Sequence, residues 1–150
     1  MKTFTVKQPW SYLICSGIKP IENRTWPTKY RGRILIHSSA KRIIEPFAKS
    51  LYTTAQQHAI NDFHTLHENE TTTSAIVGSV EIVDCVVNHP SIWAEQTELP
   101  EQLSNKCIWN WVLANPVLFA EPIANVKGRL SFWDYPMTEE EYFNIEKIGK

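Results

Sequence analysis

Gln8 to Ser39 reads QPWSYLICSGIKPIENRTWPTKYRGRILIHSS, and most of the chain's uncommon chemistry is concentrated there. Pro9-Trp10 suits the first turn of a helix, where proline's missing N–H has no partner to lose. Trp10, Leu13 and Ile14 recur at helical spacing, so a short helix buries one face. Gly17 follows as the residue past the helix end, where a left-handed backbone costs glycine little. Pro20 and Pro27 push Lys19 and Trp26 out of helical geometry, which predicts an extended Lys19–Trp26 segment. As a strand it places Ile21, Asn23 and Thr25 on one face and Glu22, Arg24 and Trp26 on the other. The second face carries an acid, a base and a large ring.

Outward from this stretch, charge is a local matter. The 150 residues carry a formal net charge of −1, so the chain as a whole attracts a polyanion only weakly. Any nucleic-acid contact has to come from a patch. Lys19, Arg24, Lys29, Arg31, Arg33, Lys41 and Arg42 form such a run, with Glu22 the one acid inside it; the same run also reads as a solvated face. Hydrophobic content of 43% and charged content of 21% are those of a soluble globular chain. One domain spanning residues 1–150 is expected, long enough to bury a sizeable core. No stretch approaches the ~20 apolar residues of a membrane span, and MKTFTVKQPW lacks the apolar run of a secretion signal. No membrane is expected as a partner. Cys15, Cys85 and Cys107 are far apart among apolar neighbours. They read as reduced, buried thiols in a cytoplasmic protein.

The remaining chain alternates between strand and helix patterns. Lys2–Val6 reads as a strand with Phe4 and Val6 on one face, Pro27–Gly32 as a loop, and Arg33–His37 as a strand. In the latter, Ile34 and Ile36 oppose Leu35 and His37. From Lys41 to about Leu66, Ile44, Phe47, Ala48, Leu51 and Ala55 fall near one helical stripe, and a polar loop follows to Thr73. Ser74–Val87 is the longest strand, with Ile76, Val80, Ile82 and Val86 on one face and Val77, Ser79, Glu81, Val83 and Cys85 on the other. Gly78 marks a bend or bulge in it. Asn88–Asn105 reads as loop or short helix, Cys107–Leu113 as a strand, Asn115-Pro116 as a turn and Val117–Phe119 as a short strand. Pro122–Phe132 closes the sheet, with a basic turn at Lys127-Gly128-Arg129, and Glu139-Glu140-Glu141 opens a C-terminal helix. Several short strands with two inserted helices suggest a small mixed barrel.

Pro9-Trp10, Leu13-Ile14, Gly17-x-Lys19-x-x-Glu22-x-Arg24-x-Trp26, Tyr30-Arg31-Gly32 and Ile36-His37-Ser38-Ser39 resemble the signature of the ASCH (activating-signal-cointegrator homology) family. The resemblance continues in Ile76-Val77-Gly78-Ser79-Val80, Trp111, Asn115-Pro116, Pro122, Lys127-Gly128 and Trp133. The family's usual Ala after His is Ser38 here, and a frequent late Gly is Ser131; neither change touches the charged cluster. The family is similar in fold to the PUA domain, an RNA-binding barrel. The resemblance therefore implies an α+β fold, a PUA-like small mixed β-barrel flanked by helices.

Lys19, Glu22 and Arg24 have the chemistry to hold a nucleobase or a phosphate. Arginine offers planar paired donors, glutamate accepts from a base N–H, and lysine adds a point charge. Trp26 or Tyr30, and also Trp10, would serve as stacking platforms. The same residues also read as an exposed ion pair beside a structural Trp. With the resemblance, the leading expectation is RNA or nucleotide binding in a cleft lined by Lys19, Glu22, Arg24, Trp26 and Tyr30, with Arg31 in the basic patch. Some small ASCH proteins are amidohydrolases that deacetylate N(4)-acetylcytidine with a Lys-activated Thr three residues on. Lys19 matches the Lys, but Glu22 stands at the Thr position. An enzyme here would thus be a hydrolase, an amidohydrolase or a ribonuclease, in which a carboxylate activates water. Glu22 is the candidate base and Glu81 a second acid that sequence does not place. A protein-interaction module is the third class. His37-Ser38-Ser39 ends a strand before a helix, where Ser38 or Ser39 would cap and free N–H groups would bind an anion. His58, His64 and His67 lack a completing ligand, so no metal is expected, and no Gly-rich loop implies a cofactor.

Overall fold

Alternation makes Lys2–Val6 strand β1, and the Trp10–Cys15 stretch makes helix α1, after which Gly17 turns the chain at φ +85°. Ile21–Arg24 is β2 and Gly32–Ser38 is β3. Helix α2 spans Thr54–Asn61, and two long strands follow, β4 at Ala75–Val87 and β5 at Trp109–Ile123. Phe132–Asp134 is β6 and Glu139–Phe143 is helix α3. This computed structural model describes residues 1–41, 51–61, 72–98 and 107–148. The strands form one six-stranded sheet in the order β2-β5-β4-β3-β1-β6. β1 and β3 run parallel, joined through α1 and β2, and every other neighbouring pair is antiparallel. The fold is α+β and PUA-like, a curled half-barrel with helices.

Two cores lie on the two faces of the sheet. Ile34 and Ile36 pack with Phe4, Val6, Val80, Ile82 and Trp111 under α1, whose Leu13 and Ile14 are buried. Leu35 faces the other way, with Ile76, Phe119 and Tyr142 of α3. β2 and β6 form no ladder, and rings fill the gap between them. Phe132 stacks on Trp111 (5.4 Å, 16° between planes), and Trp26 meets both, at 4.7 Å from Trp111 and 6.1 Å from Phe132. Phe4 and Tyr30 pack on Phe132 as well.

Several expected boundaries shift, each for a local reason. Ile36 pairs with Gly78 and His37 with Ile76, which leaves Val77 as the extra residue of a bulge. The bulge reverses the alternation, so Ile76 lies in the α3-side core while Val77 joins Val80 and Ile82 in the other. Asn115-Pro116 does not end a strand: β5 runs through it, with Asn115 at φ +48°. The strand does not extend from Pro122 to Phe132; β5 stops at Ile123, residues 124–131 are loop, and β6 is short. The long helix expected from Lys41 is interrupted, since residues 51–53 are not α-helical. There Thr53 and Gln56 exchange backbone-to-side-chain bonds at 3.0 and 3.2 Å, a capping box that starts α2. Thr138 and Glu141 do the same for α3. Arg42, Ile44, Phe47, Ala48, His64, His67 and most of the polar loop before Thr73 lie outside the described residues. No described helix is long and apolar enough to cross a membrane.

Gly78, beside the bulge, lies where β4, β5 and α1 come closest. A Cβ there would sit 2.1 Å from the Val117 carbonyl oxygen and 2.8 Å from Cys15 Sγ. Gly78→Ala should cost about 2–3 kcal/mol, the scale of forced overpacking. A urea midpoint unchanged by this substitution would show that β4, β5 and α1 are not packed this closely.

Candidate functional site

The turn out of α1 aims a lysine inward. With Gly17 left-handed, the Lys19 N–H donates to the Leu13 carbonyl at 2.9 Å, and the Pro20 carbonyl accepts from Leu113 N–H of β5 at 2.9 Å. Lys19 is thereby buried at 5% exposure, and Glu22 of β2 at 7%. Lys19 Nζ donates to the Ile21 carbonyl and lies 3.5 Å from Glu22 Oε2. The other carboxylate oxygen accepts from Arg24 Nε at 2.8 Å. Arg24 in turn lies 4.5 Å over the Phe4 ring and reaches the Thr5 carbonyl at 3.4 Å. Glu22 and Arg24 share a face, as period two requires. Burial pushes the Lys19 ammonium below the ordinary lysine range, and the Glu22 charge opposes that shift.

Above this chain of charges is a cavity of about 390 Å³. It is lined by Lys19 and Glu22, by Trp10 and Trp93, and by Asn23, Gln56 and Glu95. Lys19 Nζ is 5.5 Å from the Trp10 ring centre. The 89–95 segment is tied down: Asn23 donates to the Trp93 carbonyl at 3.0 Å and accepts from Glu95 N–H at 3.0 Å, while Gln56 donates to the Ile92 carbonyl at 2.8 Å. Tyr52 packs edge-on against both Trp10 and Trp93. A second cavity of about 430 Å³ shares Trp10 and Glu22 and adds Thr5, Lys7, Arg24, Ser39, Arg129 and Leu130. An aromatic-walled space over a held carboxylate and two cations suits a planar ligand with N–H donors at its edge. Sequence reading missed Trp93, Gln56, Glu95, Lys7 and Arg129. Local signals exist for two of these positions: the Thr53-x-x-Gln56 capping box for Gln56 and the basic Lys127-Gly128-Arg129 turn for Arg129.

The other expected residues are elsewhere. Trp26 belongs to the ring cluster, and its carbonyl accepts from Trp111 Nε1–H at 3.2 Å. The Tyr30 hydroxyl donates to the Arg33 carbonyl at 3.1 Å. Arg31 bonds the Thr28 and Tyr30 carbonyls and lies 3.6 Å from Asp84. Glu81 accepts from Arg33 at 2.9 Å and Asn115 at 3.2 Å, and it lines neither cavity. His37 is buried, which holds its pKa below the ordinary histidine range and favours the neutral ring. Its Nε2–H donates to the Val126 carbonyl at 2.7 Å, and Nδ1 has no partner among the described residues. Ser38 Oγ donates to the Thr72 carbonyl at 2.8 Å, and Ser39, whose Oγ donates to the Lys41 carbonyl, lines the second cavity. A helix for these serines to cap would lie outside the described residues. Among the described residues no group of His, Cys, Asp and Glu could hold a metal ion.

A model of the ASCH domain matches residues 4–123. Human activating signal cointegrator 1 is 32% identical over 82 residues, which are 55% of this chain and 14% of that protein. Its mouse counterpart is 30% identical over the same length. This chain therefore corresponds to a small part of those relatives. A crystal structure of ASCH from Zymomonas mobilis superposes with a TM-score of 0.52 at 14% identity, covering 95% of this chain and 90% of that one. A mutant ASCH protein from the same organism gives 0.51 at 15% identity, covering 95% and 93%.

Two stability measurements test the charge chain. Glu22→Ala strands Lys19 in the interior, whereas Lys19→Met leaves Glu22 paired with Arg24. Breaking a buried pair costs about 3–5 kcal/mol. Glu22→Ala should lie at the low end, because Lys19 can shed its proton, and Lys19→Met should cost less. The reverse order in urea denaturation would contradict the pairing. Lys19 also sets a pH slope. Its pKa is lower folded than unfolded, so between the two values the unfolded chain binds more protons and stability rises with pH. The stability of the wild type relative to Lys19→Met should therefore increase up to about pH 10.4.

Proposed function

The chain belongs to the ASCH domain family, and from that premise we propose that it binds a nucleotide unit of RNA in the cleft over Lys19 and Glu22. The family is generally linked to RNA binding. The observation that carries the reading is the Glu22 carboxylate, 7% exposed, gripped by Lys19 and Arg24 at the floor of a cavity walled by Trp10 and Trp93. A buried ion pair is weak as a stabilising device, and here it faces an open space of about 390 Å³, room for a base with its sugar. Glu22 would accept from the amino or ring N–H of cytosine or guanine. Trp10 and Trp93 would give the base a stacking surface, the role expected of Trp26 and Tyr30. Arg24, 2.8 Å away, would hold the carboxylate in orientation. The free thiols of Cys15, Cys85 and Cys107 suit a reducing compartment such as the cytoplasm.

The 3.5 Å Lys19–Glu22 contact also favours a second reading, hydrolysis of an acylated nucleoside. Glu22 would take a proton from water, the resulting hydroxide would attack the acyl carbon, and Lys19 would polarise the acyl oxygen. As the acyl C–N bond breaks, Glu22 would give that proton to the leaving nitrogen, releasing cytidine and the free carboxylic acid. Glu81, bonded to Arg33, would take no part.

Titration calorimetry with CMP, GMP and short RNA tests the binding reading. Glu22→Gln keeps the shape and weakens acceptance from N–H donors, so affinity should fall about tenfold or more. Trp93→Ala should cost about 1–3 kcal/mol of binding for the lost stacking. An affinity that ignores both substitutions removes this cleft from the account. Release of cytidine from N(4)-acetylcytidine, nearly silent in Lys19→Ala and Glu22→Ala, would establish the hydrolase instead.

A further inference from the structure

The cleft continues past Arg24. Thr5, Ser39, Arg129 and Leu130 line the cavity next to Glu22 and also a larger one of about 720 Å³ beyond it. The far wall of the larger cavity is the 124–131 loop, including Val126, Lys127 and Gly128. That loop is anchored. Val126 donates its N–H to the Ser74 carbonyl at 2.9 Å and accepts from His37 at 2.7 Å. Gly128 lies directly on the imidazole: a Cβ there would be 2.6 Å from His37 Cε1 and 3.2 Å from Thr5 Oγ1. Asn125 at φ +58° and Ser131 at φ +57° turn the chain near either end.

What the anchored loop presents is charged and exposed. Lys127 and Arg129 are exposed, as is Lys7 across the cleft, and none forms an ion pair among the described residues. The lining of the two cavities holds one carboxylate, Glu22, already engaged by Lys19 and Arg24. Between these cations Leu130 stands 95% exposed and borders both cavities. A large apolar side chain in water gains nothing for stability. Among exposed, unpaired cations it has the form of the wedges that proteins insert between bases.

We propose that the 124–131 loop makes the nucleotide site a track for a single nucleic-acid strand. Phosphates flanking the base at Glu22 lie on Lys7, Arg129 and Lys127, and Leu130 inserts between that base and its neighbour, which enters the larger cavity. This rests on the nucleotide reading above and adds to it the 124–131 loop as the part that holds the neighbouring nucleotides. A lone nucleotide would bring one phosphate to these cations and leave Leu130 and the larger cavity unused.

Fluorescence anisotropy and calorimetry on the full chain, with CMP and with RNA and DNA octamers, separate the possibilities. An octamer of either kind should bind more tightly than CMP. Leu130→Ala should weaken octamer binding about tenfold, the scale of a lost base contact, and leave CMP binding unchanged. Lys127→Ala with Arg129→Ala should lower the salt slope of octamer binding by up to about 1.4, about 0.7 for each lost phosphate contact on a single strand. A 2-aminopurine beside the bound base should brighten on binding to the wild type and stay quenched with Leu130→Ala. Equal affinity for CMP and both octamers, or octamer binding indifferent to Leu130 and Arg129, overturns the track. Octamer binding that needs Leu130 and Arg129 but not Glu22 keeps the track and sinks the base pocket.

Discussion

A carboxylate cannot stay ionised inside a protein unless cations and donors replace its water. Glu22 is in that position, and satisfying it fixes much of the molecule. Lys19 must come from the exit of α1, so the helix must end at Gly17 and hand the chain to β2 within a few residues. Arg24 must come from further along β2, and its other contacts, the Phe4 ring and the Thr5 carbonyl, belong to β1 on the far side of the curl. One charge chain thus ties β2 to β1 where no ladder joins them. The rings of Trp26, Trp111 and Phe132 fill the space beside it. The cleft lies along the line where the half-barrel fails to close.

That geometry explains why the site is built from residues so distant in sequence. Curling brings the 89–95 segment to one side of Glu22 and the 124–131 loop to the other. The bulge at Val77 and the left-handed Asn115 supply part of the bend, since each interrupts the regular pairing of β4 with its neighbours. Pro116 is tolerated inside β5 because β2 pairs only as far as Val112, so that edge needs no donor from residue 116. His37, buried and neutral, acts as the seat on which the basic loop rests.

Much of this was legible in the sequence because local rules govern it. Gly17 past a short helix, period-two sorting of Ile34 and Ile36 against Leu35, the bend at Gly78 and the sharing of a face by Glu22 and Arg24 all follow from backbone geometry. The family resemblance in the first motif matches the ASCH domain found over residues 4–123. What stayed hidden depends on contacts between distant segments. Trp26 sorted to the charged face by period two, but β2 ends at Arg24, and the ring turns into the aromatic cluster. Trp93 carries no local mark, and the basic turn holding Arg129 carries none of its position, because only the curl of the sheet brings them to the cleft. The Asn115-Pro116 pair looked like a turn because its local chemistry is that of a turn; the strand continues because β4 holds it on both sides of the bend.

The central claim is that ligand meets the protein over Lys19 and Glu22, between Trp10 and Trp93. Titrating a short RNA into ¹⁵N-labelled protein reads this directly from side-chain N–H signals. The account predicts the largest shifts at the Trp10 and Trp93 indoles and at Arg24 Nε, with Arg129 following. Shifts confined to Arg31 and the Trp26–Tyr30 surface, with the Trp10 and Trp93 signals unmoved, would contradict it.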